Sequence, residues 1–127
     1  MVTLKALPYD FSVCQLAGTA EVSLDTKYCF FAGTAEELSL VCPTCDVPAH
    51  TLCREDGWQG LYIDGVLDFS MIGVLSKLSA VLAACQVGIF VVSTYNTDYI
   101  FIKKAQFTQA IRALRQAGYA VDQTVSL

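Results

Sequence analysis

The segment VCPTCDVPAHTLC, residues 41–53, brings three cysteines and the only histidine of the chain into a short span. Thiolate and imidazole groups at short spacing are typical ligands of Zn²⁺, so Cys42, Cys45, His50 and Cys53 form a candidate tetrahedral site. The spacing between His50 and Cys53 is too short for a zinc knuckle. The loop is also acidic, whereas knuckles present basic and aromatic groups to bases. Zinc binding therefore stays an alternative that we do not favour.

The same segment begins with CPTC directly after an apolar run, which resembles the active site of a glutaredoxin. Such a site needs Cys42 at the N-terminus of a helix, where the helix dipole stabilises the thiolate. Pro48 stands where the second turn of that helix needs a backbone N–H, and no helical periodicity follows it. We interpret the cysteines as small apolar residues of a strand end and a loop. We predict no metal ion and no cofactor, with a thiol-redox protein as the other alternative.

The composition excludes several classes of protein. Of the 127 residues, 54% are hydrophobic and 16% are charged, which is far from the composition of a disordered chain. The net charge is −4, and Lys103 and Lys104 form the one adjacent basic pair. The clustered basic face of a nucleic-acid binder is therefore missing from the sequence, and we predict no nucleic-acid partner.

One stretch, residues 71–92, is apolar enough to suggest a membrane span, with Lys77 as its charged residue. Gly88 interrupts it, the residues before that glycine have helical spacing, and those after it are β-branched. A helix, a terminating glycine and a strand explain the stretch better. The N-terminal segment also lacks an apolar run behind a basic start. These features predict a cytoplasmic protein with reduced thiols and no membrane partner.

The second half of the chain has the clearest periodicity. The predicted elements, in chain order, are a strand from residue 60, a helix capped by Asp68 or Ser70 and ended by Gly88, strands at 89–95 and 99–103, a helix ended by Gly118, and a last strand. In the second helix, Phe107, Ala110, Ile111 and Leu114 share one apolar face. The order βαββαβ predicts a ferredoxin-like α+β fold, with two helices on one face of a four-stranded antiparallel sheet.

The first half of the chain is more interrupted. Residues 11–16, 27–33 and 37–42 predict short strands, and no helix longer than a turn or two is indicated. No linker precedes residue 60, so this half is expected to share a core with the second.

The stretch GIFVVSTYNTDYIFIKKAQFTQAIRALRQAGYAV, residues 88–121, resembles the ACT domains of a small bacterial family of tandem-ACT proteins, which also includes the ACT modules of the animal cytosolic arginine sensor. The segment LDFSMIGVL, residues 67–75, is similar to the entry into the first helix of that family. EELSLVCP and GWQGLYIDG are similar to its upstream half. The resemblance implies two domains: a degenerate, strand-rich ACT-like half at 1–58 and an ACT domain at 59–127.

The resemblance implies regulatory binding of a small molecule, usually an amino acid, where the loop into the first helix meets the strands of a neighbouring module. An amino-acid zwitterion needs an anion near its ammonium group and donors near its carboxylate. Asp98 is the candidate counter-ion, and the backbone N–H groups of Ser70, Met71 and Ile72 are candidate carboxylate donors. Thr94 and Thr97, in the same hairpin as Asp98, complete the predicted ligand-binding set.

Structural alternatives exist for two of these residues. Asp98 can serve only to stabilise its turn, and Ser70 can serve only to cap its helix. We predict that the protein is not an enzyme, because the lone His50 lies in a turn-like loop and no glycine-rich phosphate loop is present. An adaptor module for dimerisation or partner binding is the alternative function. Low charge and unpaired sheet edges predict a homodimer.

Overall fold

A computed structural model describes residues 2–65 and 73–123 of the chain. Its elements, in chain order, are the strands β1 (Thr3–Leu16), β2 (Phe30–Gly33), β3 (Leu38–Pro43) and β4 (Cys53–Ile63), the helix α1 (Val74–Ala84), the strands β5 (Ile89–Ser93) and β6 (Asp98–Lys103), the helix α2 (Phe107–Gln116) and the strand β7 (Ala120–Asp122). One turn of 3₁₀ helix follows β3 at Thr44–Asp46, and another follows β6 at Lys104–Gln106.

The chain divides into two compact units. The first unit, called here the helical unit, consists of residues 1–8 and 59–127, and the second, called the strand unit, consists of residues 9–58. Residues 1–8 group with the helical unit and not with the first half of the chain. The predicted division into domains at 1–58 and 59–127 stays a prediction.

The helical unit has the predicted βαββαβ order, and the predicted α+β ferredoxin-like class is confirmed. Its strands lie in the order β7-β1-β4-β6-β5. The N-terminal part of β1 therefore lies between β4 and β7. In the predicted four-stranded sheet, β4 and β7 would have been neighbours. Thr3 to Lys5 of β1 pair in parallel with Ala120 to Asp122 of β7, so the sheet is not wholly antiparallel.

The core of the helical unit lies between its sheet and its two helices. Leu78 and Leu82 of α1 are fully buried, and α2 buries the four residues predicted for its apolar face, namely Phe107, Ala110, Ile111 and Leu114. These side chains pack with Leu61, Ile63, Ile100 and Ile102 of the strands. Burial of each Leu, Ile or Phe side chain in this layer contributes about 1.5–3 kcal/mol to the stability of the unit.

Both helices are followed by a residue in the left-handed conformation, but the residue type differs. In α2, Gly118 (φ +99°) follows the C-cap, and the N–H groups of Gly118 and Tyr119 bond back to Arg115 and Leu114, as the sequence predicted for this glycine. For α1, the prediction that Gly88 ends the helix is wrong. Gln86 (φ +61°) takes the left-handed position, and α1 ends at Ala84.

The strand unit has the strand order β2-β3-β1-β4, which is the order of a ferredoxin-like sheet. Its described residues contain no α-helix: residues 17–29 and 47–52 are turns, bends and irregular backbone. Val22, Cys29 and Val47, from these segments, pack against a small core of Cys14, Leu16, Leu40 and Cys42. Loops therefore cover the face that helices cover in the helical unit.

No described helix is both long enough and apolar enough to cross a membrane. The stretch at residues 71–92 enters the described structure as α1 followed by β5, which is the interpretation that the sequence favoured.

Candidate functional site

The predicted ligand residues Thr94, Thr97 and Asp98 lie together in the hairpin between β5 and β6. The N–H of Thr94 donates to the carbonyl of Thr97 over 2.9 Å, and the hydroxyl of Thr94 donates to the same carbonyl over 3.1 Å. In return, the N–H of Thr97 donates to Oγ1 of Thr94 over 3.3 Å. The two threonines thus close the turn and leave Tyr95 at its exposed tip.

Thr97 also fixes this turn to the strand β4. Its side chain is buried, and Oγ1 donates to the carbonyl oxygen of Ile63, the last residue of β4, over 2.7 Å. The hairpin turn therefore lies beside the point where the chain leaves β4 toward α1. That point is the start of the loop in which the resemblance places a ligand.

Asp98 is the first residue of β6 and is half-buried. Oδ1 of Asp98 accepts a hydrogen bond of 2.6 Å from Oγ of Ser93, its register partner on β5. This contact supports the structural interpretation of Asp98. A carboxylate accepts hydrogen bonds at both oxygens, so Oδ2 retains the capacity to meet an ammonium group.

The predicted carboxylate donors Ser70, Met71 and Ile72 lie outside the described residues, as does Asp68. The described helix begins at Val74, after Gly73 in the left-handed conformation (φ +82°). The N–H of Lys77 closes the first turn by donating to the carbonyl of Gly73.

Two grooves of the helical unit lie away from the hairpin. One, of about 310 Å³, is lined by α2 and the end of the described chain, including Arg112 and Arg115. The other, of about 300 Å³, lies between the first turns of α1 and the end of α2. Neither groove is lined by Thr94, Thr97 or Asp98.

The cysteine segment has neither metal-site nor glutaredoxin geometry. Cys42 is fully buried in β3, whereas Cys45 and Cys53 are exposed. Nδ1 of His50 lies 3.2 Å from Oε1 of Glu21, a surface contact. Within residues 2–65 and 73–123, no group of three or more His, Cys, Asp or Glu side chains is arranged to hold a metal ion.

Burial decides the chemistry of Cys42. Desolvation, followed by the neighbouring Cys14, Cys29 and Asp46, raises the pKa of the Cys42 thiol from 9.0 to about 12, against a smaller opposing effect of Arg54. A glutaredoxin-type mechanism requires the opposite shift. Cys42 is therefore a thiol at neutral pH, as expected for a small apolar residue in a core.

The strands predicted at 27–33 and 37–42 form a second hairpin, and its turn has the same construction, which the sequence interpretation did not identify. The N–H of Thr34 donates to the carbonyl of Glu37 over 2.9 Å, and the N–H of Glu37 donates to Oγ1 of Thr34 over 3.1 Å. Thr34 and Thr94 are sixty positions apart, and the same offset relates β2 to β5 and β3 to β6. Each hairpin runs into a 3₁₀ turn after a residue with nearly the same backbone angles.

The repeat is weak in sequence, since Phe30 and Phe90 or Thr34 and Thr94 match but most of their neighbours differ. The two positions that form the Ser93–Asp98 pair are occupied in the strand unit by Gly33 and Leu38. The carboxylate is therefore specific to the hairpin of the helical unit.

Comparison with known proteins identifies the class of this fold. The family model of the ACT domain matches residues 54–116. The structure is similar to a crystal structure of a protein from Agobacterium tumefaciens, with a TM-score of 0.87 and 23% identity over 98% of this chain and 95% of that one. A search of curated proteins finds no significant match.

Two further solved structures share the fold. One is a Vibrio cholerae protein of unknown function, described as a possible transport protein, with a TM-score of 0.70 and 19% identity over 91% of this chain and 88% of that one. The other is the ligand-free regulatory subunit of aspartate kinase from Thermus thermophilus, with a TM-score of 0.63 and 13% identity over 92% and 98% of the two chains. Residues 54–116 therefore belong to an ACT domain, and ACT domains are regulatory modules.

Proposed function

We propose that this protein binds a small metabolite, an amino acid or a close relative, at the β5–β6 hairpin of its helical unit, and that it acts as a regulator without catalysing a reaction. The observation that carries the proposal is the hydrogen bond from Thr97 to the last carbonyl of β4. It holds Asp98 at the end of the sheet from which the chain runs toward α1.

Each predicted residue has a role in this site. Oδ2 of Asp98 accepts from the ligand ammonium group, while Oδ1 stays bonded to Ser93. Thr94 and Thr97 hold the turn, so their contribution is the position of Asp98. The backbone N–H groups of Ser70, Met71 and Ile72 are proposed as donors to the ligand carboxylate.

The test is a set of thermal melts of the protein with each of the twenty amino acids. A ligand at about one hundred times its Kd stabilises the folded state by about 2.7 kcal/mol and raises the melting temperature. A panel of amino acids and related metabolites that produces no shift contradicts the proposal.

Asp98→Asn is the variant that assigns a shift to this site. The amide retains an acceptor oxygen for Ser93 but loses the charge, and a hydrogen bond to a charged group contributes about 1.5–3 kcal/mol, so we expect affinity to fall about tenfold or more. The matched control is Glu36→Gln, the same change of carboxylate to amide in the exposed hairpin of the strand unit. A shift that survives in Asp98→Asn places the ligand elsewhere.

A second candidate function, an adaptor that forms a homodimer, rests on β5. This strand is at one end of the strand order, and its sequence IFVVS contains no charge and no proline, the usual features that protect an exposed edge. Because the N–H of Thr94 points toward β6 and the direction alternates along a strand, the N–H of Val91 points outward.

Val91→Pro removes that outward donor and leaves the ladder between β5 and β6 intact, whereas Val91→Thr keeps the donor. A dimer formed through β5 becomes monomeric in Val91→Pro and stays dimeric in Val91→Thr, as measured by sedimentation equilibrium. A wild-type chain that is monomeric at micromolar concentration eliminates this candidate.

A further inference from the structure

Cys29 immediately precedes β2, and the register of the β2–β3 hairpin, extended by one residue, places it opposite Cys42. The register of this hairpin pairs Phe30 with Val41, and its continuation by one residue pairs Cys29 with Cys42. The repeat supports this pairing independently, because Ile89 and Ile102, the residues at the same places sixty positions later, are register partners. Cys29 also packs against the core that contains Cys42.

The hydrogen-bond pattern gives this pair the separation that a disulfide needs. The N–H of Thr34 donates to Glu37, so this pair and every second pair along the hairpin are of the hydrogen-bonded type. Cys29 and Cys42 then form a non-hydrogen-bonded pair, in which the Cα atoms lie about 4.5 Å apart. Disulfides bridge Cα atoms about 4.4–6.8 Å apart.

Neither of these cysteines pairs as well with Cys14. Cys14 faces Leu40, and Cys42 faces Ser12, so Cys14 and Cys42 are diagonal neighbours across β1 and β3. Diagonal neighbours are about 7–8 Å apart, beyond the Cα separation of about 7 Å that a disulfide bridges without backbone movement. Cys14 lies on β1 and Cys29 immediately precedes β2, and β3 lies between these two strands.

We propose that Cys29 and Cys42 form a disulfide when the protein meets a low-molecular-weight disulfide such as oxidised glutathione, and that this bond fastens the loop at residues 17–29 to β3. This loop covers the sheet face of the strand unit through Val22 and Cys29. The bond is a modification site outside the proposed ligand hairpin, and it does not depend on ligand binding.

The reaction is a pair of thiol–disulfide exchanges. The thiolate of the half-buried Cys29 attacks one sulfur of oxidised glutathione, forms a mixed disulfide and releases one glutathione thiolate. Cys42 then loses its proton to solvent and attacks the sulfur of Cys29, and the second glutathione thiolate leaves. Two protein thiols are oxidised, and one oxidised glutathione is reduced to two thiols.

The environment of the pair makes this reaction slow and pH-dependent. Desolvation, with a contribution from Asp46, raises the pKa of Cys29, and burial raises the pKa of Cys42 to about 12, so both thiolate fractions at neutral pH are small. The rate of bond formation therefore increases as the pH rises.

The experiment oxidises the folded protein with oxidised glutathione, blocks free thiols by alkylation and maps the peptides by mass spectrometry. Cleavage after Glu36 and Glu37 separates Cys29 from Cys42, whereas trypsin leaves both in one peptide between Lys27 and Arg54. A Cys45→Ser, Cys53→Ser double variant removes the two exposed thiols and makes the assignment to Cys42 unambiguous. We expect a cross-linked peptide pair that is lighter by two hydrogen atoms than its free-thiol counterparts.

Two single variants separate the steps. In Cys42→Ser, Cys29 should accumulate the mixed disulfide with glutathione, whereas in Cys29→Ser, Cys42 should stay an unmodified thiol. The wild-type map tests the proposal even if a variant fails to fold. The proposal is overturned if Cys29 and Cys42 remain alkylatable after unfolding while another cysteine has reacted, or if the bond appears only when the oxidation is done in denaturant.

Discussion

The two hairpins at residues 30–43 and 90–103 share a threonine-closed turn, a register and a following 3₁₀ turn, yet only the second continues into a helix. After the first, Val47 adopts an extended conformation (ψ 130°), and after the second, Phe107 adopts the helical one (ψ −45°). Val47 precedes Pro48, and a residue before proline is disfavoured in the helical region. A single proline thus explains why the strand unit lacks the counterpart of α2.

The same difference changes what covers the sheet. Leu40 and Cys42 in the strand unit correspond to Ile100 and Ile102 in the helical unit, and all four are buried. Two helices cover the second pair, whereas loop residues cover the first. The two pairs of residues are therefore equally buried, although the loops bring fewer apolar side chains to the first pair than the helices bring to the second.

The largest expected effect in this comparison comes from the equivalent core residues. We expect Ile100→Ala to lower the free energy of unfolding by about 2–5 kcal/mol, because the helices around it relax only partly into the cavity. Leu40→Ala should fall at the lower end of this range, since irregular loops collapse more easily. Urea denaturation measures both. If Leu40→Ala lowers the free energy of unfolding more than Ile100→Ala does, the expected difference between a loop-covered and a helix-covered core is contradicted.

An intermediate effect is expected where the strand unit uses polar groups to hold its 3₁₀ turn. Oγ of the fully buried Ser12 lies 2.9 Å from Oγ1 of Thr44 and donates to Oδ1 of Asp56 over 2.6 Å. Ser12→Ala removes both contacts and should cost about 1–3 kcal/mol, because two partners lose a hydrogen bond in a partly buried place. The control is Ser23→Ala in an exposed loop, which should change stability by less than about 0.5 kcal/mol in the same denaturation experiment.

The smallest effect is expected in the two hairpin turns, which have the same threonine hydrogen bonds. Thr34→Val and Thr94→Val each remove a hydroxyl that both donates and accepts within its turn. We expect each to cost about 0.5–1.5 kcal/mol, with the two values within about 0.5 kcal/mol of each other. Equilibrium urea denaturation of the two variants measures both values, and a larger difference would show that the turns are alike in geometry only.

The helical unit was the more predictable part because its signals are local. The apolar face of α2 and its terminating Gly118 follow from spacing within a few residues, as does the hairpin of β5 and β6, and all three are confirmed. Of the candidate ligand residues, Thr94, Thr97 and Asp98 were correctly placed in one hairpin. Whether they bind a ligand stays a prediction.

The end of α1 and the correspondence of the two hairpins could not be predicted from the spacing of residues in the sequence. Spacing pointed to Gly88 as the end of α1, but the helix ends two residues before Gln86, and the N–H groups of Gln86 and Val87 bond back to Ala83 and Leu82. The resemblance implied a degenerate ACT-like first half, but the residue-by-residue match of the two hairpins was not identified, because few identities connect them although their hydrogen bonds are the same.

The sequence by itself determined most of the elements, their apolar faces and the place where Pro48 forbids a helix, but it did not predict the strand residues 3–10 and 53–59. Only the tertiary structure decided the partners of those elements. The first strand lies between β4 and β7, and Thr97 bonds to a carbonyl thirty-four residues away. The physical reason is that backbone N–H and C=O groups are alike in every residue. Side-chain periodicity therefore predicts that a strand will form, whereas its neighbour in the sheet depends on how the whole core packs.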